Sequence, residues 1–303
     1  MIDPILRALP IGLYDPLRRA LHRLPRRHPA RRAATLVLQH AARAHRDRLG
    51  QRVAEIRPVD MPDLSFEPVD SMVLDAVYWF GVRGYEGTVA GTWVRLCQQA
   101  RAVLEVGGNV GLFAVLGGRA LGAGGRYTVV EPVPHVAAIL RANLARNGVR
   151  GVQVMQGAVV PGAARDVVLS LPDEGRAMPV GAHLAEGVEI TARGGRELRV
   201  QGLPIAELAA GRDLIKIDAE GIEAALLTEI RPLLVRERPS LLIEVLPEAT
   251  KLAAFLAELA REAGYTMHVL PEYGSDEIVQ VDPAHFTAEV PRQHHAKDVL
   301  LSK

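Results

Sequence analysis

Cysteine is nearly missing from this chain of 303 residues: Cys97 stands alone. A single thiol excludes an intramolecular disulfide framework and any cysteine-based zinc motif, and it suits a reducing compartment. Aromatic residues are scarce at 4% of the chain, and none falls between Arg18 and Arg52, the stretch richest in arginine. The stacking platform that single-stranded nucleic acids use is therefore absent from the basic segment. No apolar run approaches the roughly 20 residues a bilayer span needs. The arginine-bearing start carries no uninterrupted apolar stretch of the signal-peptide kind. These absences give the expectation of a cytoplasmic protein with no membrane span and no nucleic-acid partner.

What is present is globular: 49% apolar and 23% charged residues, with a net charge of only +1. That small number hides an asymmetry. Residues 1–52 hold twelve Arg against three Asp, or +9, leaving 24 basic and 32 acidic residues, or −8, in the remainder. The division expected is a basic, mostly helical region with its linker over 1–70, and a main domain over 71–303. Prolines at 4, 10, 16, 25 and 29 punctuate the first part. From Ala30 to Leu49 nothing interrupts, and Leu36, Val37, His40, Ala41 and Ala44 recur at helical spacing. Such a helix could meet an acidic partner, or could cap the acidic main domain or a second copy in a homodimer. "RPVDMPDLSFEPVDS" (57–71) reads as a linker. Trp79 and Phe80, just after it, either line a pocket or close a core.

Further on, strands and helices alternate. Strand patterns at Ala102–Val106, Tyr127–Glu131, Val152–Gln156, Leu214–Ile217 and 240–245 are interleaved with helical ones at 111–121, 135–147, 222–230 and 248–264. Alternation of this kind means a mostly parallel sheet covered on both faces, a doubly wound, Rossmann-like α/β fold. Residues 158–212 break the rhythm, with "DVVLSL" and "RELRV" as extra strands.

"RAVLEVGGNVGLFAVL" (101–116) places Gly107, Gly108 and Gly111 between the first strand and its helix. Ligands of open parallel sheets bind outside the carboxyl ends of strands, where strand order reverses. The glycines do not fit G-x-G-x-x-G, because position 109 is Asn, and G-x-x-x-x-G-K-[ST] is absent. Glu105 at the strand tip would repel a phosphate and welcome an ammonium group. The second strand ends at Glu131, followed by Pro132, 24 residues beyond Gly107. A carboxylate there can accept both ribose hydroxyls of an adenosine. Adenosine, ammonium and no phosphate together describe S-adenosylmethionine.

With "GVRGYEG", "VLEVGGNVGLF", "VVEPVPHVAAILRANLARN", "LIKIDAEGIEAALL" and "PSLLIEV" in this order, the chain resembles the FkbM family of S-adenosylmethionine-dependent methyltransferases from about Asp75 onward. The family's Asp and Ala in "D-x-G-A-N" are replaced by Glu105 and Gly108, and its Leu-Asp-x-Leu is reduced to "LPIAEL". The resemblance implies a seven-stranded sheet with "DVLLS" as an antiparallel strand. It implies that Glu86, beside Tyr85, lies near the cofactor's amino-acid end, and that Asn109 faces its methionine portion. Gly107, Gly111, Glu131 and Pro132 would form the remainder of that cradle. Gln156 and Ala158 are adenine-side candidates, with plain loop residues as the rival reading.

Asp218 ends the fourth strand and Glu244 the fifth, so two carboxylates converge on one mouth, with Glu220 in a turn beside Gly221. Methyl transfer is chiefly a matter of aligning nucleophile and methyl carbon, worth about 7–11 kcal/mol at best. A hydroxyl acceptor must also shed a proton, which a nearby carboxylate can take. Asp218 is the expected base and sits on the cofactor side as well. Glu220 and Glu244 assist. A Mg2+ ion among these carboxylates is possible but not favoured, since no histidine ligand accompanies them. The alternative for Glu220 is an ion pair with Lys216. The expected reaction is O-methylation of a natural product or other small molecule. N-methylation of a peptide or side-chain amide, or a cofactor-binding subunit without catalysis, stand as rivals.

Overall fold

A computed structural model describes residues 8–24, 28–45, 49–171, 183–184, 196–219, 221–271 and 277–303. They fall into two compact units, one reaching Gly87 and the other starting at Thr88.

The first unit contains helices α1 (Asp15–Arg23), α2 (Pro29–His45), α3 (Leu49–Arg52) and α4 (Met72–Phe80) and the start of α5 (Val82–Gln99). Pro16 and Pro29 stand at helix starts, where a missing N–H costs nothing. Ser71 caps α4 by accepting from the Leu74 N–H. The buried face of α2 is Ala34, Leu38, Ala41, Ala44 and His45, whereas Leu36 and Val37 are exposed. Of the stripe expected from sequence, Ala41 and Ala44 are buried, whereas Leu36, Val37 and His40 face outward and Ala34 and Leu38 take their place in the core. Trp79 closes this unit's core, its ring stacked on His45 at 5.9 Å and edge-on to Tyr14 at 5.4 Å. The 57–71 segment is built in: Leu64 and Phe66 are buried, and Asp60 accepts from the Val82 and Arg83 N–H groups.

The second unit carries strands β1 (Ala102–Val106), β2 (Arg126–Glu131), β3 (Val152–Gln156), β4 (Ala158–Val160), β5 (Asp166–Leu171), β6 (His183–Leu184), β7 (Arg196–Pro204), β8 (Leu214–Ile217), β9 (Ser240–Glu244), β10 (Thr266–Pro271), β11 (Val279–Val281) and β12 (Ala296–Ser302). Its helices are α6 (Leu112–Ala120), α7 (Pro134–Arg146), α8 (Ile205–Ala209), α9 (Glu223–Glu229), α10 (Arg231–Glu237), α11 (Thr250–Ala263) and α12 (Glu289–Gln293). The main sheet runs β11-β10-β12-β9-β8-β1-β2-β3, with β9, β8, β1, β2 and β3 parallel and β12 antiparallel to β9. Eight strands replace the expected seven; the edge strand β11 is the addition. "DVVLSL" and "RELRV" do pair, as β5 and β7 of a separate sheet ordered β4-β7-β5-β6.

Side chains alternate across β1 and β8. Leu104, Val106, Ile215 and Ile217 enter a core shared with α8 to α11. The intervening positions Glu105 and Lys216 are adjacent in register and buried on the opposite face, near Trp93, Phe113 and Tyr127. Charged residues inside two central strands are costly unless paired, so their placement marks the site.

Candidate active site

Strand order reverses between β1 and β8, whose ends deliver Gly107 and Asp218 side by side. A Cβ added at Gly107 would lie 2.0 Å from the Asp218 carbonyl oxygen, and Gly107 has φ +85°. Both facts demand glycine there. The N–H groups of Gly107 and Gly108 both donate to the Val130 carbonyl at 3.0 Å, tying the turn to β2. A side chain at Gly108 would strike Val129 and Leu140. This explains how Gly108 replaces the family's Ala: the turn is packed down onto the sheet. Gly111 takes φ +86° and Asn109 φ +46°, and the Asn109 side-chain oxygen accepts from the Val110 N–H at 2.7 Å. Asn143, fully buried on α7, donates to the Val110 carbonyl at 2.7 Å and braces the turn from behind.

Glu131 is fixed at the tip of β2. Its two oxygens accept from the Asn109 N–H at 2.8 Å and the Val133 N–H at 2.9 Å, the latter just beyond Pro132. Burial pushes its carboxyl up to about 7; the two N–H groups oppose the shift, while the Asp218 charge adds to it. Glu131 therefore sits beside the bare turn with free lone-pair capacity on both oxygens.

Glu105, expected as a strand-tip carboxylate that welcomes an ammonium group, is one residue short of the end of β1. It is buried below the turn and accepts from the Tyr127 hydroxyl at 2.5 Å. Burial raises its carboxyl to about 7 against the opposing Lys216 charge and the Tyr127 hydrogen bond. The cation whose charge favours its ionised form is Lys216, its neighbour in register on β8. Burial foremost, then the Glu105 charge, pushes the Tyr127 phenol well above its usual range, so it remains a donor. Cys97 is fully buried, and burial raises its thiol too, so it is no nucleophile at neutral pH.

Asp218 and Glu244 converge as expected, and two lysines join them. Lys216 pairs with Asp218 at 3.1 Å, and Lys297 with Glu244 at 2.8 Å. Burial pushes the Asp218 carboxyl up, but the Lys216 and Lys297 charges and hydrogen bonds with Lys216 and Glu244 outweigh it, and the net direction is down. Lys216 thus partners Asp218, where the sequence reading had offered it to Glu220; Glu220 lies outside the described residues. Glu223 folds back on the turn before α9, accepting from Ala219 at 2.9 Å and from Gly221 at 3.0 Å. It shapes the backbone after Asp218.

The adenine-side candidates diverge. Gln156 is exposed and pairs in register with Glu131, whereas Ala158 is buried as the first residue of β4, opposite Gly202. Glu86 lies in the first unit, buried at a non-helical step (φ −135°, ψ 57°) in α5. Among the described residues no group of three or more His, Cys, Asp or Glu could hold a metal ion. No described helix is long and apolar enough to cross a membrane. Sequence reasoning missed Lys297, Tyr127 and Asn143. Asn143 had a signal, a polar residue on the apolar face of "HVAAILRANLARN"; Lys297 had none, because its partner is 53 positions away.

A model of the FkbM methyltransferase domain matches residues 105–267. Among solved structures, the chain is similar to an O-methyltransferase from Bacillus cereus crystallised with S-adenosylhomocysteine, at 15% identity over 73% of this chain and 84% of that one, with a TM-score of 0.41. It is similar also to an FkbM methyltransferase from Methylobacillus flagellatus, at 14% identity over 84% and 56% of the two chains and a TM-score of 0.40. A third is a Podospora anserina methyltransferase bound to S-adenosylhomocysteine, at 15% identity over 64% and 77% with a TM-score of 0.40. No curated protein matches the sequence. With the family model covering more than half of its length, the chain belongs to the FkbM family of S-adenosylmethionine-dependent methyltransferases.

Proposed function

We propose that the protein methylates a hydroxyl of a natural product or other small molecule, with Asp218 as the group that receives the proton. The observation that carries this reading is the pairing of a bare turn at Gly107 with the anchored carboxylate of Glu131 at the next strand tip. The residues suit the cofactor. Glu131 would hold the ribose hydroxyls, the Gly107–Gly111 turn would admit the methionine portion, and Ala158 with the exposed Gln156 would flank the adenine. When bound, S-adenosylmethionine supplies a methyl group already activated on a sulfonium sulfur.

What remains for the chain is alignment and proton handling. Asp218 stays ionised because Lys216 and Lys297 favour its charged form. A carboxylate held that low is a weak base toward a free alcohol. Its part is to accept a hydrogen bond from the acceptor hydroxyl and so direct an oxygen lone pair. The proton becomes acidic only as the new C–O bond forms, and a weak base then suffices. Lys297 keeps Glu244 beside it, so the mouth presents carboxylates without large net charge.

The test is product identification. Purified enzyme is incubated with methyl-labelled donor and a panel of hydroxylated and amide-bearing small molecules. Label on oxygen, lost in Asp218→Asn by about 10²–10³-fold in kcat with little change in donor affinity, supports the reading. Label on an amide nitrogen makes the protein an N-methyltransferase. Donor binding without turnover on any acceptor fits the non-catalytic reading.

A further inference from the structure

Helix α1 forms one wall of a cavity of about 550 Å³, lined by Asp15, Arg18, Arg19, His22 and Arg23 from the helix, by Glu55, Arg57 and four apolar residues between Val53 and Pro62, and by Tyr78. Every one of these residues lies in the first unit and outside the stretch matched by the family model. The volume is that of a small-molecule pocket. Its donors and acceptors are unequally spent. Arg18, buried under the wall, donates to the Tyr78 and Arg57 carbonyls, pairs with Asp15 and stacks on the Tyr78 ring. Arg57 pairs with Glu55 and donates to the Pro62 carbonyl, and the second Glu55 oxygen accepts from Ser65 at 2.6 Å. Both carboxylates in the lining are thus engaged. Arg19 and Arg23, one helical turn apart on the exposed side, have no such acceptor among the described residues. Between them His22 holds a buried Nε2 with no hydrogen-bond partner.

A cavity with its acceptors used and its guanidinium donors open selects a ligand that is itself an acceptor. We infer that this cavity binds a small oxyanion, a phosphate or carboxylate group, gripped by Arg19 and Arg23 at its mouth while the Arg18–Asp15 and Arg57–Glu55 pairs hold its frame. The ion-paired frame explains why part of the basic segment is buried: Arg18 builds the wall and leaves its neighbours one and five positions on to meet the ligand.

The full-length protein is titrated calorimetrically, at low ionic strength, with inorganic pyrophosphate and separately with citrate. The wild type is compared with Arg19→Ala/Arg23→Ala and with a control, Arg43→Ala/Arg150→Ala, which removes the same charge from exposed positions elsewhere. The inference requires saturable binding of at least one probe, weakened about tenfold or more in the pocket variant and unchanged in the control. Preference for pyrophosphate identifies a phosphate ligand, and preference for citrate a carboxylate one. Unchanged S-adenosylhomocysteine affinity in both variants certifies that they are folded. Failure to bind either probe, or equal weakening in the two variants, overturns the inference.

Discussion

At the scale of single residues, two buried carboxyls give the protein its sensitivity near neutrality. Glu105 and Glu131 are each raised to about 7, against an ordinary value near ~4.3. Between those values the folded chain keeps a proton that the unfolded chain has released, so folding stability from these groups falls as pH rises from about 4.5 to 7. Glu105→Gln retains an acceptor for Tyr127 and removes the titration. Thermal unfolding at pH 5.5 and pH 8 is expected to show a pH-dependent loss in the wild type that is smaller in the variant by the Glu105 share, at most about 2 kcal/mol, while the Glu131 share remains. In the proposed ribose-holding role, Glu131 would act on binding in the opposite sense, since its ionised form is the better acceptor for hydroxyls. Affinity for S-adenosylhomocysteine should therefore rise as pH increases through about 7. A flat affinity between pH 6 and 8 would remove Glu131 from the ribose site. Asp218, held below its ordinary range, contributes no titration there.

At the scale of elements, the proposed site is the junction of β1, β2, β8 and β9. Gly107→Ala puts a side chain at φ +85° and into the Asp218 carbonyl. Strain of this kind costs about 1–3 kcal/mol before the clash is counted. The variant should lose thermal stability and cofactor binding together, as unfolding and calorimetry would register. Lys297 reaches the site from β12, the antiparallel strand next to β9. Lys297→Met should lower kcat by about tenfold with donor KM little altered, and move the acidic limb of the pH–rate profile upward. The reason is that Asp218 loses one of the charges holding it ionised. An unmoved limb would separate Lys297 from the proton step.

At the scale of the whole molecule, legibility followed the range of the interactions. The parallel strands were readable because β1, β2, β3, β8 and β9 are short apolar runs separated by helices of clear period. β10 and β11 were not, because the antiparallel pairing of β10 with β12, and of β11 with β10, rests on register between separate segments rather than on local pattern. Glu131, Asp218 and Glu244 were found as charges at strand ends. Lys297 and Tyr127 were not found, because a residue's value as a partner depends on register across strands. The stripe of α2 was half right: Ala41 and Ala44 are buried, but Leu36 and Val37 face outward while the small Ala34 packs closely. In the first unit, Trp79→Ala should cost about 3–5 kcal/mol by emptying the Tyr14–His45 contact, measurable as a lower melting temperature.

The most direct test of the central claim is calorimetric titration of the intact protein with S-adenosylhomocysteine, NAD and NADP, repeated on Glu131→Ala. One-to-one binding of S-adenosylhomocysteine alone, weakened about 100-fold in the variant by loss of two charge-assisted hydrogen bonds, is the expected result. Binding of a nicotinamide dinucleotide, or S-adenosylhomocysteine affinity indifferent to Glu131, would contradict the assignment of the Gly107 turn and its neighbouring carboxylate to the methyl donor.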